Sequence, residues 1–296
     1  MLLGEYAVLH GKHALLCAID KRMVVTLTPR SDDQVILESA LGQLTTRLSK
    51  LNSVPPFQFV LTALQTLKKY LTQGCTIKIE SEFSATMGFA SSAAVTVATL
   101  SALLTWLNLP YSELELIRLA RKVVRQVQGL GSGADVAACV LGGIVFYRAH
   151  PLCATQLPGS PLITVIYSGH KTPTVNAVQQ VTEKFASHPK LFKQLCQAIH
   201  YCALDGMQAV LQQNWQALGD VMTIQQGLMD ALGVNTPIMR EIIYSLRQQP
   251  AILGAKISGS GLGDCVVALG KGKIENLATS TIPVQIAQRG VYCEKN

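Results

Sequence analysis

The stretch SATMGFASSAAVTVATLSALLTWL, residues 84–107, decides how the rest of the chain is read. Its first half is small and glycine-containing and its second half is apolar at helical spacing, which predicts a loop running straight into a buried helix. The first N–H groups of a helix have no partner within it, and the helix dipole adds positive character at that end. A terminus built from Gly88, Ala90, Ser91, Ser92 and Ala93 is therefore suited to phosphate. The hydroxyls of Ser91 and Ser92 can reach phosphate oxygen or Mg²⁺. Small residues at an ordinary, tightly packed helix start explain the same letters, and this loop alone does not choose. It is no Walker A loop, for Gly-Lys-Ser/Thr is missing.

Upstream, Leu15–Thr28 reads as two strands joined by a tight turn at Asp20–Arg22, and Val35–Glu38 as a third. Pro55–Pro56 opens a helix through FQFVLTALQTLKKYL, and Cys75–Glu80 alternates like a strand leading into the loop. Downstream, Ser112 and Glu115 form a capping box for a helix that carries Arg118, Arg121, Lys122 and Arg125. That basic stripe fits a solvated face or a wall that attracts anions. Gly129–Arg148 repeats the first design: glycine-rich loop, small-residue helix, Gly142–Gly143 stop, strand. Asp135 stands at its mouth, where a carboxylate taken alone reads as a cap. The segment HPLCATQLPGSP is the best linker candidate and divides the chain into domains 1–152 and 153–296. A strand at Leu162–Tyr167, helices between Thr174 and Gln248 and a strand at Ile252–Ile257 follow.

The third glycine-rich loop is KISGSGLGDC, with Gly259, Gly261 and Gly263 between two apolar runs. A dinucleotide reading needs such a loop in a first βαβ unit with an acidic residue about 20 positions on, and that setting is absent. Three such loops plus Asp135 make a kit for phosphoryl transfer: amides and hydroxyls for the nucleotide, a metal, and a base for the attacking hydroxyl.

Composition narrows the classes. The 296 residues are 49% hydrophobic and 15% charged, enough to bury a sizeable core and too apolar for long disorder. No apolar run approaches the ~18 residues of a membrane span and the start lacks a secretory pattern, so no membrane role and a cytoplasmic location are expected. Eight cysteines without a CxxC pair indicate neither zinc nor a disulfide framework. The net charge of +7 favours anionic ligands. Without basic runs interleaved with aromatics, no nucleic acid is expected and a phosphate-bearing small molecule fits better.

Gly4-Glu5-Tyr6-Ala7-Val8-Leu9-His10-Gly11, the GFASSAA loop at 88–94 and GSGLGD at 259–264 resemble, in order and spacing, the three motifs of the galacto-, homoserine, mevalonate and phosphomevalonate (GHMP) kinases. The resemblance spans nearly the whole chain. It implies an α+β fold with an N-terminal domain like ribosomal protein S5 domain 2, a ferredoxin-like C-terminal domain and ATP in the cleft. It further implies an ATP- and Mg²⁺-dependent kinase of the mevalonate branch, with mevalonate as acceptor, phosphomevalonate as the alternative, and a nucleotide-binding protein without chemistry as a third reading. A homodimer is possible on the same analogy.

Carried over by position, Asp135 resembles the catalytic aspartate and Ser92 the metal-binding serine. Gly88, Ala90, Ser91, Ser92, Ala93, Gly259, Ser260 and Gly261 fall at ATP contacts. Glu5, Tyr6, His10 and Thr174 fall at substrate contacts. Lys171 fits a phosphate contact or an ordinary surface lysine beside a turn. Two departures stand out. The residues ahead of Gly4 include no Pro-Gly-Lys, whose lysine in the family lies against the catalytic aspartate and lowers its pKa. The position eleven before Asp135, where mevalonate kinases usually carry a Mg²⁺-binding glutamate, is Val124. Ala90 also replaces the usual glycine.

Overall fold

The computed structural model describes residues 1–84, 88–274 and 280–295. In chain order the strands are β1 (His13–Cys17), β2 (Met23–Pro29), β3 (Gln34–Ser39), β4 (Gly42–Arg47), β5 (Cys75–Ser81), β6 (Ile144–Ala149), β7 (Leu152–Leu157), β8 (Ile163–Tyr167), β9 (Ile252–Ser258), β10 (Cys265–Gly270) and β11 (Ser280–Ile282). The α-helices are α1 (Gln58–Leu67), α2 (Ser91–Trp106), α3 (Glu113–Gln128), α4 (Ala134–Leu141), α5 (Thr174–Lys184), α6 (Pro189–Leu211), α7 (Trp215–Leu232) and α8 (Pro237–Arg247). Mostly antiparallel sheets with grouped helices are the expected α+β class. The chain packs as two compact units. The first comprises Met1–Asp20, Gly88 and Gly142–Gln288; the second comprises residues 21–84, Phe89–Leu141 and residues 289–295.

In the second unit the sheet order is β2-β5-β3-β4, with β3 and β5 parallel and the other pairs antiparallel. Alternation buries Cys75 and Ile77 of β5 and Val35 and Leu37 of β3 on one face, while Lys78 points outward. Helices α1, α2 and α3 pack together, and α2 also packs on β2. On α3 the buried stripe Leu116, Ile117, Ala120, Val123 and Val124 follows helical spacing, and Arg118, Lys122 and Arg125 are exposed. The capping box forms as expected, the Ser112 hydroxyl accepting from the Glu115 N–H while the Glu115 carboxylate accepts from the Ser112 N–H. Each group satisfies an otherwise orphaned donor.

The first unit holds two sheets. One, β11-β8-β10-β9, is antiparallel throughout and is backed by α7 and α8. Its core gathers Met229, Leu232, Met239, Ile242, Leu246, Ile257 and Val266. A β-carbon on Gly254 would lie 2.3 Å from the Gly219 carbonyl oxygen, so only glycine lets α7 lie this close to β9. The other sheet, β1-β6-β7, carries α6 on β1.

One local expectation is corrected. Leu15–Thr28 does contain two strands, but they form no hairpin: β1 pairs with β6 and β2 with β5. The turn gives way to long-range pairing, with Asp20 tied through both backbone and carboxylate to Gln285. The proline- and glycine-rich segment after Ala149 also contains a strand, β7, antiparallel to β6.

Candidate active site

In the first unit, the segment from Gly4 to Gly11 forms no open loop. Glu5 is 2% exposed, and its two carboxylate oxygens accept from Lys256 Nζ on β9 and Gln225 Nε2 on α7. Gln225 closes the network by accepting from the Gly4 N–H at 3.0 Å. The Glu5–Lys256 pair is fully buried, and burial pushes the lysine pKa down while Glu5 opposes that. Tyr6, in the left-handed region at φ 60°, donates from its hydroxyl to the Ser260 carbonyl at 2.6 Å. Its phenol is pushed well up by burial, with the Glu5 charge adding to the effect. His10 is exposed and turns edge-on to Phe192 of α6, with ring centres 5.1 Å apart.

Gly259, Ser260 and Gly261 begin the turn between β9 and β10. Five of its six residues have positive φ: Gly259 at 92°, Gly261 at 73°, Leu262 at 59°, Gly263 at 139° and Asp264 at 62°. Such a winding path needs external anchors. Leu262 donates its N–H to Val234 at 2.8 Å and accepts from the Thr172 hydroxyl at 2.6 Å. Asp264 donates its N–H to His170 at 2.6 Å and accepts from the Ser168 N–H at 2.8 Å. The turn is thus tied to residues 168–172, beside which Lys171 and Thr174 are exposed, Thr174 opening α5. Two of its buried polar atoms, Ser260 Oγ and Asp264 Oδ1, have no hydrogen-bond partner among the described residues. Buried atoms of this kind point to a ligand or water.

Gly88, also in this unit, lies against Asp264: a β-carbon built on it would sit 3.0 Å from both Cγ and Oδ1 of that residue. Its φ of 71° is likewise in the left-handed region.

In the second unit, Ala90 adopts φ 52°, in the left-handed region, and starts α2 with no side-chain cap. Ser91 and Ser92 open the helix and Ala93 is buried beneath them. The first-turn N–H groups are therefore left for an external acceptor. Asp135 is exposed in the first turn of α4, where the helix dipole favours the carboxylate, and α4 packs against α2 and α3. Gln128, at the end of α3, donates to Ser92 Oγ at 3.5 Å. Val124 is buried in the α3 stripe and offers no metal ligand.

The first unit therefore gathers Glu5, Tyr6, Gly88, Gly259, Ser260, Gly261 and Lys171 around one turn, and Thr174 opens α5 two residues beyond the Thr172 anchor. His10 faces α6 instead. The second unit carries Ser91, Ser92, Ala93 and Asp135 on two packed helices. Lys256, Gln225 and Asp264 were not singled out from sequence. The available signal for Lys256 was a charge set in the apolar run ILGAKIS, and for Asp264 an acid among glycines.

The family models described as "GHMP kinases N terminal domain" and "GHMP kinases C terminal" match residues 58–143 and 207–280. The mevalonate kinase of Pyrococcus horikoshii is 31% identical, over 95% of this chain and 89% of that protein. This chain belongs to the GHMP kinases. Solved structures bear out the fold of this GHMP kinase. The mevalonate kinase of Methanococcus jannaschii superposes with a TM-score of 0.80 at 21% identity, covering 96% of this chain and 95% of that one. The galactokinase of Lactococcus lactis superposes at 0.82 and 17% identity, covering 98% and 91%. As a GHMP kinase the protein is a small-molecule kinase that uses ATP. Among the described residues no helix of this GHMP kinase is long and apolar enough to cross a membrane.

Proposed function

We propose that this GHMP kinase transfers the γ-phosphoryl group of ATP to the hydroxyl of mevalonate. The similarity to the Pyrococcus horikoshii mevalonate kinase along nearly the whole chain carries the reading. In the second unit, the uncapped start of α2 at Ala90–Ala93 is suited to the triphosphate, its amides meeting phosphate oxygens. Asp135 accepts or orients the proton of the acceptor hydroxyl. As that oxygen bonds to the γ-phosphorus, the bond to the β-phosphate oxygen breaks and ADP leaves. Mg²⁺ would be held by the Ser92 hydroxyl and the phosphates and would neutralise charge developing on the transferred group.

In the first unit, Lys171, Thr174 and His10 are exposed, and on the family resemblance they would contact the acceptor. The orphaned Ser260 Oγ beside Gly259 and Gly261 is a further donor for phosphate. Glu5 and Tyr6 act from within, holding the turn at 259–264 through Lys256 and the Ser260 carbonyl.

A second reading has phosphomevalonate as acceptor. Gly263-Asp264-Cys265, Val127-Gln128-Gly129 and the exposed Arg118, Lys122 and Arg125 favour it. Coupled ADP-release assays with the two acids side by side decide between them. Mevalonate is expected to give the higher kcat/KM, and turnover of neither acid would overturn both readings. Asp135→Asn should lower kcat by about 10²–10⁴-fold while leaving ATP affinity nearly unchanged; full rate in that variant would remove the assigned role.

A further inference from the structure

Tyr6 falls where the resemblance expects a substrate contact, but its surroundings in the first unit give it a different task. It is 5% exposed, its ring lies in the apolar core that holds Ile166, Ile257 and Val266, and its hydroxyl donates to the Ser260 carbonyl at 2.6 Å. The residue keeps a left-handed backbone angle, φ 60°, which carries a steric cost for a bulky side chain. Its own carbonyl is fixed there by the Leu9 N–H at 2.9 Å. Burial, with the Glu5 charge adding to it, holds the phenol protonated, so the hydroxyl is a donor at any pH near neutrality.

That hydrogen bond controls a peptide plane. Turning the Ser260–Gly261 peptide changes mainly ψ of Ser260 and φ of Gly261, which stands at 73°. Glycine accepts φ of either sign at similar cost, so local sterics leave the plane free to face two ways. Tyr6 selects one of them. In a trans peptide the C=O and the following N–H point in opposite directions, so a Ser260 carbonyl held by Tyr6 sends the Gly261 N–H to the side opposite that ring. Among the described residues this N–H has no acceptor, and the buried Ser260 Oγ has no partner. A β-carbon on the adjacent Gly259 would meet nothing within 4 Å, so the turn borders open space there. Uncommitted donors beside open space suit a phosphate.

Resting on the kinase reading above, we propose that Tyr6 is a positioning residue for the nucleotide and not a contact of the acceptor: its hydroxyl fixes the Ser260–Gly261 peptide so that the Gly261 N–H and the Ser260 hydroxyl are presented to a phosphate of ATP.

The test is a double-variant cycle on Tyr6→Phe, which keeps the ring and removes one oxygen atom, and Ser260→Ala. Affinity for the non-hydrolysable analogue AMP-PNP is read by calorimetry, and kcat and KM by the coupled assay. Tyr6→Phe should weaken AMP-PNP binding by about five- to thirtyfold, the range expected when a carbonyl loses a buried donor. KM for ATP should rise in step, while KM for mevalonate stays within about twofold of wild type. Ser260→Ala should also weaken AMP-PNP binding, and the double variant should bind less weakly than the product of the two single effects, because each acts on the same contact. Unchanged AMP-PNP affinity in Tyr6→Phe, full additivity, or a raised mevalonate KM with an unmoved ATP KM would overturn the assignment. Should Tyr6→Phe fail to fold, unchanged affinity in Ser260→Ala overturns it from the other end of the contact. A wild type that binds AMP-PNP and turns over neither acid would overturn the acceptor reading alone, the positioning role being read from binding; a wild type that takes up no nucleotide would overturn both.

Discussion

Glu5 shows how much a side chain's surroundings matter beyond its motif. The motif places it at a substrate contact, yet its carboxylate lies inside the protein between Lys256 and Gln225. The Gly4–Gly11 motif is legible because its letters are contiguous. The partner is not, because Lys256 lies 251 residues away and nothing local says which carboxylate it meets. The pair's energetics can be separated from its chemistry. Removing one partner leaves a buried charge uncompensated, so Lys256→Met should destabilise the protein by about 3–5 kcal/mol. Replacing both, Glu5→Gln with Lys256→Met, removes both desolvation costs and should destabilise it less than Lys256→Met alone. Urea unfolding of the wild type, Glu5→Gln, Lys256→Met and the double variant measures this. A double variant as unstable as the sum of the singles would mean that the two groups do not act as a pair.

Elements were legible where their determinants are local. The loop-to-helix reading of residues 84–107 and the capping box of α3 rest on spacings of three or four residues, and α2 and α3 form accordingly. The start of the loop at 85–87 lies outside the described residues. The hairpin reading of Leu15–Thr28 failed because β1 finds its partner in β6, where His13 faces Arg148. That pairing creates a pH-sensitive contact. The His13 ring stacks on Phe146 at 4.6 Å and on His200 of α6 at 5.1 Å. Burial, then Arg148 and His200, lower its pKa to about 4, and His200 is itself lowered by burial, Lys12 and Arg148. The native state therefore binds fewer protons than the unfolded chain, in which histidine titrates near 6.5. The stability held by neutral His13 is fully present above pH 6.5 and is lost as pH falls towards 4. Thermal midpoints between pH 7 and 4 should drop more steeply in the wild type than in His13→Phe, which keeps an aromatic ring and cannot charge. Parallel slopes in the two proteins would show that protonation elsewhere controls the acid limb.

At the scale of the whole molecule, motif order was readable and segment membership was not. Each compact unit is assembled from separate stretches of chain, and residues 289–295 belong with α2, α3 and α4 rather than with the strands just before them. Their letters carry no periodic signal, and their place follows from contacts that only folding reveals. Val291 donates its N–H to the Cys139 carbonyl at 2.9 Å, satisfying one of the open acceptors at the end of α4. The Arg22 guanidinium donates to the Arg289 and Gly290 carbonyls at 2.9 and 3.1 Å, and Arg289 stacks on Tyr292 at 4.1 Å. At Gly290 a β-carbon would lie 2.0 Å from the Val140 carbonyl oxygen, a backbone atom that cannot swing aside. Gly290→Ala must therefore push this segment off α4, the helix that carries Asp135. Overpacking of this kind costs about 1–3 kcal/mol. Since about 1.4 kcal/mol corresponds to a factor of ten, amide exchange in α4 should accelerate by roughly five- to a hundred-fold where it proceeds by the affected opening. Amides of β9 and β10, in the other unit, should keep their wild-type rates. If α4 keeps full protection in Gly290→Ala, or if β9 and β10 lose protection equally, the C-terminal segment is not what secures this helix and the two units do not open separately.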